Sequence, residues 1–346
     1  MIQVQHLTKI FPARVAVDDV SFDVKEREIL GFLGPNGAGK TTTLRMITGF
    51  LPPTQGTVVV GGNDVVGDPV AVKRMIGYLP EHVPLYHEMR VHEYLRFRAA
   101  LKGVPRARLG KAVDHALEEC VIGDVRNRIV GQLSKGYRQR VGIADALVSD
   151  PPILILDEPT IGLDPTQIRE TRRLIRELGR ERTVVLSSHI LPEVEMVCDR
   201  VVIISRGRLA GEGTPDQLRK QLTGQVSVRA EIRAEGFDHA ALRAIEGVTG
   251  VEVKPEMGGV HSVVLSCTSG SGPVEEKVFE ACVERGWVLR RLDRSAPTLE
   301  DIFVEIVARE PEAEAHEAEH GAGQEAKDDG AGEPAEGEVK GKEDPS

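Results

Sequence analysis

Residues 34–42 read Gly34-Pro35-Asn36-Gly37-Ala38-Gly39-Lys40-Thr41-Thr42 and fit the phosphate-binding pattern GxxxxGK followed by Ser or Thr. The apolar run Ile29–Leu33 precedes them, and apolar residues at helical spacing follow within 44–47, which gives the strand, loop and helix that the pattern requires. Glycines let such a loop turn its N–H groups toward an anion, and the helix N-terminus adds partial positive charge. The stretch predicts a phosphate loop in which Lys40 reaches the β- and γ-phosphates and Thr41 holds Mg²⁺.

The net charge of −10 is concentrated at one end of the chain. Residues 310–346 contain 13 acidic side chains and 3 lysines, and the remainder is neutral, so no nucleic-acid partner is expected. The same segment has no aromatic residue and only Val339 as a branched aliphatic. Because it cannot bury enough apolar surface to offset its ordering entropy, it is predicted to be a disordered acidic tail, with docking as the alternative to a solvating role.

Apolar segments and cysteines indicate the compartment. No apolar run approaches the roughly 18 residues of a membrane span, and the N-terminus lacks the pattern of a secretion signal, so we expect a cytoplasmic protein. The four cysteines are widely scattered without a CxxC pair, which favours buried reduced thiols over disulfides or metal ligands. They are Cys120, Cys198, Cys267 and Cys282.

Short continuous apolar runs in residues 1–222 predict an α/β domain. Such runs are typical of strands buried on both faces of a mostly parallel sheet. They are Val58–Val60, Ile153–Leu156, Thr183–Leu186 and Val201–Ile204. Between about residues 85 and 150 the apolar spacing becomes helical, which predicts a helical subdomain inserted into the sheet domain. Its pattern includes Val91, Tyr94, Leu95 and Leu101, and then Leu109, Val113, Ala116, Leu117 and Cys120.

Residues 223–309 show a different order of elements. Their pattern predicts βαββαβα, a small α+β sandwich of ferredoxin-like type, with a last helix that begins after Thr298. No catalytic constellation is evident in this segment. An accessory role in interaction or dimerisation is therefore favoured over a separate enzyme or ligand site.

A second candidate for chemistry is the strand Ile153–Leu156, which ends in Asp157 and Glu158. This places two carboxylates at the edge of the sheet where the phosphate loop is also expected. Asp157 is predicted to hold Mg²⁺, directly or through water, and Glu158 to polarise the water that attacks the γ-phosphate. Alone, such a pair is more often a solvated strand end, so this interpretation depends on the surrounding motifs.

Three further motifs complete an ordered set. Leu133-Ser-Lys-Gly-Tyr-Arg-Gln-Arg140 precedes the Asp-Glu strand, Gly162-Leu-Asp-Pro165 follows it, and Ser187-Ser-His189 ends the next strand. With these motifs the chain resembles the ATP-binding cassette proteins, the ATPase subunits of ABC transporters, over about residues 2–220. The resemblance implies a P-loop NTPase cassette, with a mostly parallel sheet core, antiparallel strands and a helical subdomain.

The resemblance also implies roles for single residues. Phe11 stands where the family places the aromatic that stacks on adenine. Ser134 and Gly136 match the signature that contacts the γ-phosphate of ATP held by the opposite subunit. With Lys135 and the D-loop residue Asp164, they are expected at a dimer interface. His189 matches the switch histidine that hydrogen-bonds the γ-phosphate, so the predicted catalytic residues are Glu158 and His189.

Two positions depart from the usual family pattern. Glu81 replaces the usual Gln in the loop that leads into the helical insertion. A Glu still accepts from water and binds Mg²⁺, but it adds a negative charge near the triphosphate. Lys135 and Tyr137 replace the Gly and Gln of the usual signature Leu-Ser-Gly-Gly-Gln. These variants, and the stretch Pro297–Phe303, are similar to those of the drug-export and gliding-motility branch, whose permeases are separate ABC-2-type membrane proteins.

The expected function is therefore an ATP- and Mg²⁺-dependent ATPase that works as a homodimer on a separate ABC-2-type permease, as an exporter. The subunit would lie at the cytoplasmic face of the membrane and meet the permease through residues 83–89 and the helical insertion, near Tyr86 and Val91. Two alternatives stay open at this point. One is an ABC ATPase that acts on ribosomes or DNA, and the other is a nucleotide-binding regulator with little turnover.

Overall fold

The computed structural model describes residues 1–221, 225–256, 258–268 and 272–295. The helix predicted after Thr298 and the acidic segment 310–346 lie outside these residues. None of the described helices is long and apolar enough to cross a membrane. All four cysteines are buried, as expected, and none of them forms a disulfide in the described part of the chain.

Three sheets organise the described chain. The strands of the first two are β1 (Ile2–Phe11), β2 (Arg14–Val24), β3 (Ile29–Leu33), β4 (Gln55–Val60), β5 (Asn63–Asp64), β6 (Ile76–Leu79), β7 (Ile153–Leu156), β8 (Thr183–Ser188), β9 (Arg200–Ser205) and β10 (Arg208–Gly213). The helices of the same part are α1 (Lys40–Ile47), α2 (Pro69–Met75), α3 (Val91–Leu101), α4 (Leu109–Glu119), α5 (Lys135–Leu147), α6 (Pro165–Gly179), α7 (Leu191–Val197) and α8 (Pro215–Gln221).

The central sheet has the strand order β10-β9-β3-β8-β7-β6. All its pairs are parallel except the edge pair β9–β10. Every residue of β3, β7 and β8 is buried, as expected for strands covered on both faces. The prediction of a mostly parallel core is confirmed for the three runs in β7, β8 and β9. Because parallel strands point the same way, β3 and β7 deliver the phosphate loop and the Asp-Glu pair to one edge.

The prediction for Val58–Val60 is wrong in one respect. This run belongs to β4, in a separate antiparallel sheet of order β2-β1-β4-β5, and not to the parallel core. Val58 and Val60 are buried while Val59 between them is half-buried, which is the alternation of a strand with one covered face. Three branched residues are too short a run to distinguish that pattern from a strand buried on both faces.

The helical insertion between β6 and β7 is confirmed, but its buried face differs at one residue. In α3, Val91, Tyr94, Leu95 and Ala99 are buried, whereas Leu101 is 63% exposed. The buried stripe therefore ends at Ala99. Leu101 has the spacing of the core residues, seven positions after Tyr94, but it is the last residue of the helix and stays exposed.

The third sheet is formed by β11 (Gln225–Arg233), β12 (Val248–Pro255), β13 (Val260–Thr268) and β14 (Val288–Ser295). Its order is β12-β13-β11-β14 and all neighbours are antiparallel. With α9 (Ala240–Arg243) and α10 (Val274–Glu284), the elements follow the predicted order βαββαβ. Buried residues of β11, β13 and α10 form the core of this small α+β sandwich, as the ferredoxin-like prediction requires.

Candidate functional site

The phosphate loop joins β3 to α1, and glycine is required at two of its positions. A Cβ on Gly34 would overlap the carbonyl oxygen of Ile204. Gly39 has a φ of 104°, in the left-handed region, at the N-cap of α1. These positions let the loop fold back closely on the sheet and open its N–H groups at the start of the helix, which is the geometry that binds phosphate.

Lys40 lies inside the loop rather than in solvent. Its side chain is only 6% exposed, and Nζ donates to the carbonyl oxygen of Gly34 at 2.7 Å. The same Nζ is 3.4 Å from Oε1 of Glu158. The structure thus brings the predicted phosphate ligand and the predicted base together, although 118 positions separate them in the sequence.

Asp157 is the centre of a hydrogen-bonded cluster. Its Oδ1 accepts from Thr41 Oγ1 at 3.2 Å and from Ser187 Oγ at 2.6 Å. Its Oδ2 is buried and has no hydrogen-bond partner among the described residues. Burial raises the pKa of Asp157, and the hydrogen bonds from Ser187 and Thr41 oppose that rise. A buried carboxylate oxygen without a partner, beside a hydroxyl, matches the oxygen ligands that Mg²⁺ prefers.

Glu158 has a φ of 48°, which is strained for a residue with a side chain. Its N–H donates to Ser187 Oγ at 2.9 Å, and its Oε2 is 2.9 Å from Nδ1 of His189. Ser187 therefore holds both acidic residues. The sequence does not predict this role for Ser187, although Ser187 begins the Ser-Ser-His motif. The feature that could have indicated it is the position of Ser187 at the end of β8, the strand that pairs with β7.

A cavity of about 390 Å³ surrounds the phosphate loop. Its lining includes residues of the phosphate loop together with Glu81 and Glu158, as predicted. The lining also includes four residues that the sequence does not mark as site residues, namely Arg14, Ala16, Arg45 and Ile161. Phe11 is not among the lining residues; it ends β1, with Lys9 Nζ 5.5 Å from its ring centre. Its adenine-stacking role stays a prediction.

The signature residues lie elsewhere in the chain. Ser134 is the N-cap of α5 and accepts from the N–H of Tyr137. Ser134 and Gly136 line a second cavity of about 620 Å³, with Gln167 and Glu170. Among the described residues, those that line this cavity and those that line the phosphate-loop cavity have no member in common.

Asp164 and Lys135 are near that second cavity rather than the phosphate loop. Asp164 is the N-cap of α6 and accepts from the N–H groups of Thr166 and Gln167, both at 2.9 Å. Lys135 is exposed at the first position of α5, and its Nζ packs against Gly162. Apart from Phe11, the predicted ATP-binding residues therefore form two groups. The phosphate loop lies with the predicted metal residues, and the signature lies with the expected interface residues.

Comparison with known proteins gives the family. Residues 17–161 match the family model described as ABC transporter, and residues 213–307 match the one described as the C-terminal domain of DrrA1-3-like ATP-binding proteins. The chain is 41% identical over 313 residues to the bacitracin transport ATP-binding protein BcrA of Bacillus licheniformis, covering 89% of this chain and 97% of BcrA. This chain belongs to the ABC transporter ATP-binding proteins. It is also 32% identical over 316 residues to the linearmycin resistance ATP-binding protein LnrL of Bacillus subtilis, covering 89% and 99%.

Solved structures of ABC transporter ATP-binding proteins share the fold. An ATP-binding subunit of an ABC transporter is 33% identical, with a TM-score of 0.58, over 64% of this chain and 92% of that one. The ATP-binding cassette MJ0796, solved as a dimer in a post-hydrolysis state with ADP and Pi, is 25% identical with a TM-score of 0.57, over 62% and 98%. This ABC protein is accordingly an ATPase that binds and hydrolyses ATP as a transporter subunit.

Proposed function

We propose that two copies of this ABC ATPase bind two ATP molecules head to tail and drive a separate ABC-2-type permease that exports its cargo. The observation that carries the proposal is the separation of the two cavities. The phosphate loop lines one, whereas Ser134 and Gly136 line the other. A second copy would bring its signature to the first copy's triphosphate. The dimeric cassette with ADP and Pi among the similar structures supports this arrangement.

The proposed chemistry assigns a task to each side chain. Lys40 and the loop N–H groups bind the β- and γ-phosphates, and Phe11 stacks on the adenine. Glu158 accepts the proton of the attacking water, and His189 orients that carboxylate and contacts the γ-phosphate. Thr41 and Asp157 would hold Mg²⁺, with Glu81 beside them, and the bound ion would neutralise charge that develops on the phosphates.

Closure of the pair follows from differential contacts. ATP that touches the phosphate loop of one copy and Ser134, Lys135 and Gly136 of the other stabilises the closed state only while its γ-phosphate is present. Asp164 would lie at the same interface. Cleavage removes the bridging phosphate, and the two copies separate.

The test is the Glu158→Gln variant, analysed by size-exclusion chromatography with light scattering. With ATP and Mg²⁺ it should elute as a dimer, and without nucleotide as a monomer, because loss of the base slows hydrolysis by about 10²–10⁴-fold. Ser134→Arg in the same background should remain monomeric, since the side chain would block the interface. A Glu158→Gln protein that stays monomeric while binding ATP would rule out the composite site.

An apolar patch on the helical insertion is the proposed permease contact. Tyr86, Phe97 and Leu101 are 47%, 40% and 63% exposed, and the Tyr86 and Phe97 rings are 5.8 Å apart. Val91, also expected on this surface, is buried and belongs to the core instead. The names of BcrA and LnrL, which refer to bacitracin transport and linearmycin resistance, support an exporter that sits at the cytoplasmic face of the membrane.

Co-purification from membranes tests this contact. Phe97→Asp should abolish recovery of a multi-span permease, whereas Val283→Asp, at a position of α10 that is 63% exposed outside the patch, should retain it. Both variants should still bind ATP. Equal recovery with both would show that the patch is not the docking surface. Recovery of ribosomes in place of a membrane protein would favour the alternative function, an ATPase that acts on ribosomes.

The domain limits belong to the same proposal. We propose that the ATPase domain ends at residue 222 and that the C-terminal α+β domain ends at residue 309.

A further inference from the structure

The nucleotide cavity contains a carboxylate that a triphosphate should repel. Glu81 and Glu158 both line it, and Asp157 directly precedes Glu158 after β7. Lys40 is already engaged with Glu158 and the Gly34 carbonyl oxygen. We infer that Arg45 is a positioning residue that balances the charge of Glu81, so that Arg45 and Glu81 act on ATP as one unit.

The backbone places both residues at this cavity. Arg45 follows Thr41 by four positions in α1, so both lie on one face of the helix, and both line the cavity. Glu81 follows β6, whose residue Leu79 pairs with Leu156 of the parallel strand β7. In that register the positions of Glu81 and Glu158 correspond. The two carboxylates therefore follow neighbouring strands at matching positions, and both line the cavity together with Thr41 and Arg45.

The hydroxyl of Tyr78 lies within the electrostatic influence of Arg45 and Glu81. This hydroxyl is buried and makes no hydrogen bond of good geometry within the described chain. Burial raises the pKa of Tyr78 to about 12, and the Asp157 and Glu81 carboxylates add to the rise, while Arg45 acts against it. The charges of Arg45, Asp157 and Glu81 therefore all act on the Tyr78 hydroxyl.

Arg45 is exposed and Glu81 half-buried, and these two described residues form no ion pair with each other. Their interaction therefore acts across the cavity, where a bound nucleotide would exclude water and strengthen it. Removing the guanidinium leaves Glu81 to repel the triphosphate. Removing both charges returns the site to the neutral amide that the family usually has, so the second loss should cancel most of the first.

A double-mutant cycle tests this on the full-length protein. We would measure the dissociation constant of a fluorescent ATP analogue at low ionic strength, with EDTA and with Mg²⁺, for wild type, Arg45→Gln, Glu81→Gln and the double variant. Arg45→Gln should weaken binding about tenfold in the wild-type background and less than about twofold in the Glu81→Gln background, a coupling within the range for interacting residues. Added salt should reduce the coupling.

Two controls separate positioning from folding. Arg45→Lys keeps the charge and should bind almost as wild type, and Arg169→Gln, which removes an exposed arginine of α6 outside the cavity, should have no effect. If Arg45→Gln weakens binding equally in both backgrounds, Arg45 contacts the nucleotide independently of Glu81 and the inference is wrong. It is also wrong if Arg45→Gln leaves affinity unchanged.

Discussion

Nδ1 of His189 lies 2.9 Å from Oε2 of Glu158, while Lys40 Nζ lies 3.4 Å from the other oxygen of the same carboxylate. Glu158 is thus oriented from both sides. One neighbour comes from the phosphate loop and the other from the loop after β8. A carboxylate held in this way is prepared to accept a proton from a water within hydrogen-bond distance.

Substitution of His189 should separate turnover from binding. His189→Ala removes the group that orients Glu158, so ATP turnover should fall by about 10²–10³-fold, within the range for a positioned acid–base partner. The affinity for ATP should change less than about threefold, because the phosphate loop is intact. Phosphate release and analogue binding measure the two effects. The control is His239→Ala, at the N-cap of α9 beside the third sheet. An equal loss of turnover in both variants would contradict the role of His189 in orienting Glu158.

Ser187 offers a second test, with a matched neighbour. Its hydroxyl donates to Asp157 and accepts from the N–H of Glu158. Ser187→Ala leaves a buried N–H and a carboxylate oxygen with fewer partners, which costs about 1–3 kcal/mol of unfolding free energy. Higher Mg²⁺ concentrations should also be needed for half-maximal turnover, since Asp157 is no longer fixed.

The control for that variant is Ser188→Ala. Ser188 is equally buried but bonds the N–H of Ile190, two residues on. Its loss should lower stability without changing the Mg²⁺ requirement. Denaturant unfolding and a Mg²⁺ titration of turnover give both values. If the two serine variants show the same Mg²⁺ dependence, the bridge of Ser187 between the acidic residues has no role at the metal site.

The sequence predicts well those features that depend on the spacing of residues close together in the chain. The phosphate loop, the buried strands β7 and β8, and the order of elements in the third sheet depend on local pattern. The roles of Ser187 and Arg45 could not be predicted from local pattern, because the groups that they act on belong to other strands and loops. Val91 shows the same limit: its apolar side chain suits a docking surface or a core, and only packing decides.

Asp157→Asn should stabilise the protein while removing its response to Mg²⁺. Burial raises the pKa of Asp157 above its ordinary value of 3.8. The folded chain then holds that proton more tightly than the unfolded chain, so unfolding free energy falls as pH rises above 3.8, and the cost is fully present at neutral pH. The amide avoids this cost, so the thermal midpoint of Asp157→Asn in EDTA should be higher than that of the wild type at pH 7.

The same variant should lose its metal response. In the presence of ATP, added Mg²⁺ should raise the thermal midpoint of the wild type further and leave that of Asp157→Asn nearly unchanged. The stabilisation in EDTA should be lost as the pH falls to 3.8 and below, because protonation of the wild-type carboxyl removes the cost there. Differential scanning calorimetry at two pH values gives both readings. A variant that melts below the wild type at pH 7 would show that the ionised carboxylate is favourable in the fold.

Asp145 should be essential for the stability of the helical insertion. It is 6% exposed, accepts from Tyr94 Oη and Arg98 Nε at 3.1 and 3.0 Å, and pairs with Lys102 Nζ at 3.1 Å. Burial lowers the pKa of Lys102 and Asp145 opposes that effect. Asp145→Ala leaves two cations without their partner, and it should cost about 3–5 kcal/mol in urea unfolding.

The exposed pair Asp114–Arg126 provides the control, since Asp114→Ala should cost less than about 1 kcal/mol. Asp145 lies near the end of α5, the helix that begins at the signature, and its partner Arg98 lies in α3, which carries Phe97 and Leu101 of the apolar patch. Asp145→Ala should therefore weaken permease recovery and ATP-dependent pairing, yet leave the affinity for ATP within about twofold, because the phosphate loop is built on β3 and α1. Loss of ATP affinity in step with stability would mean that the insertion and the parallel sheet unfold as one unit.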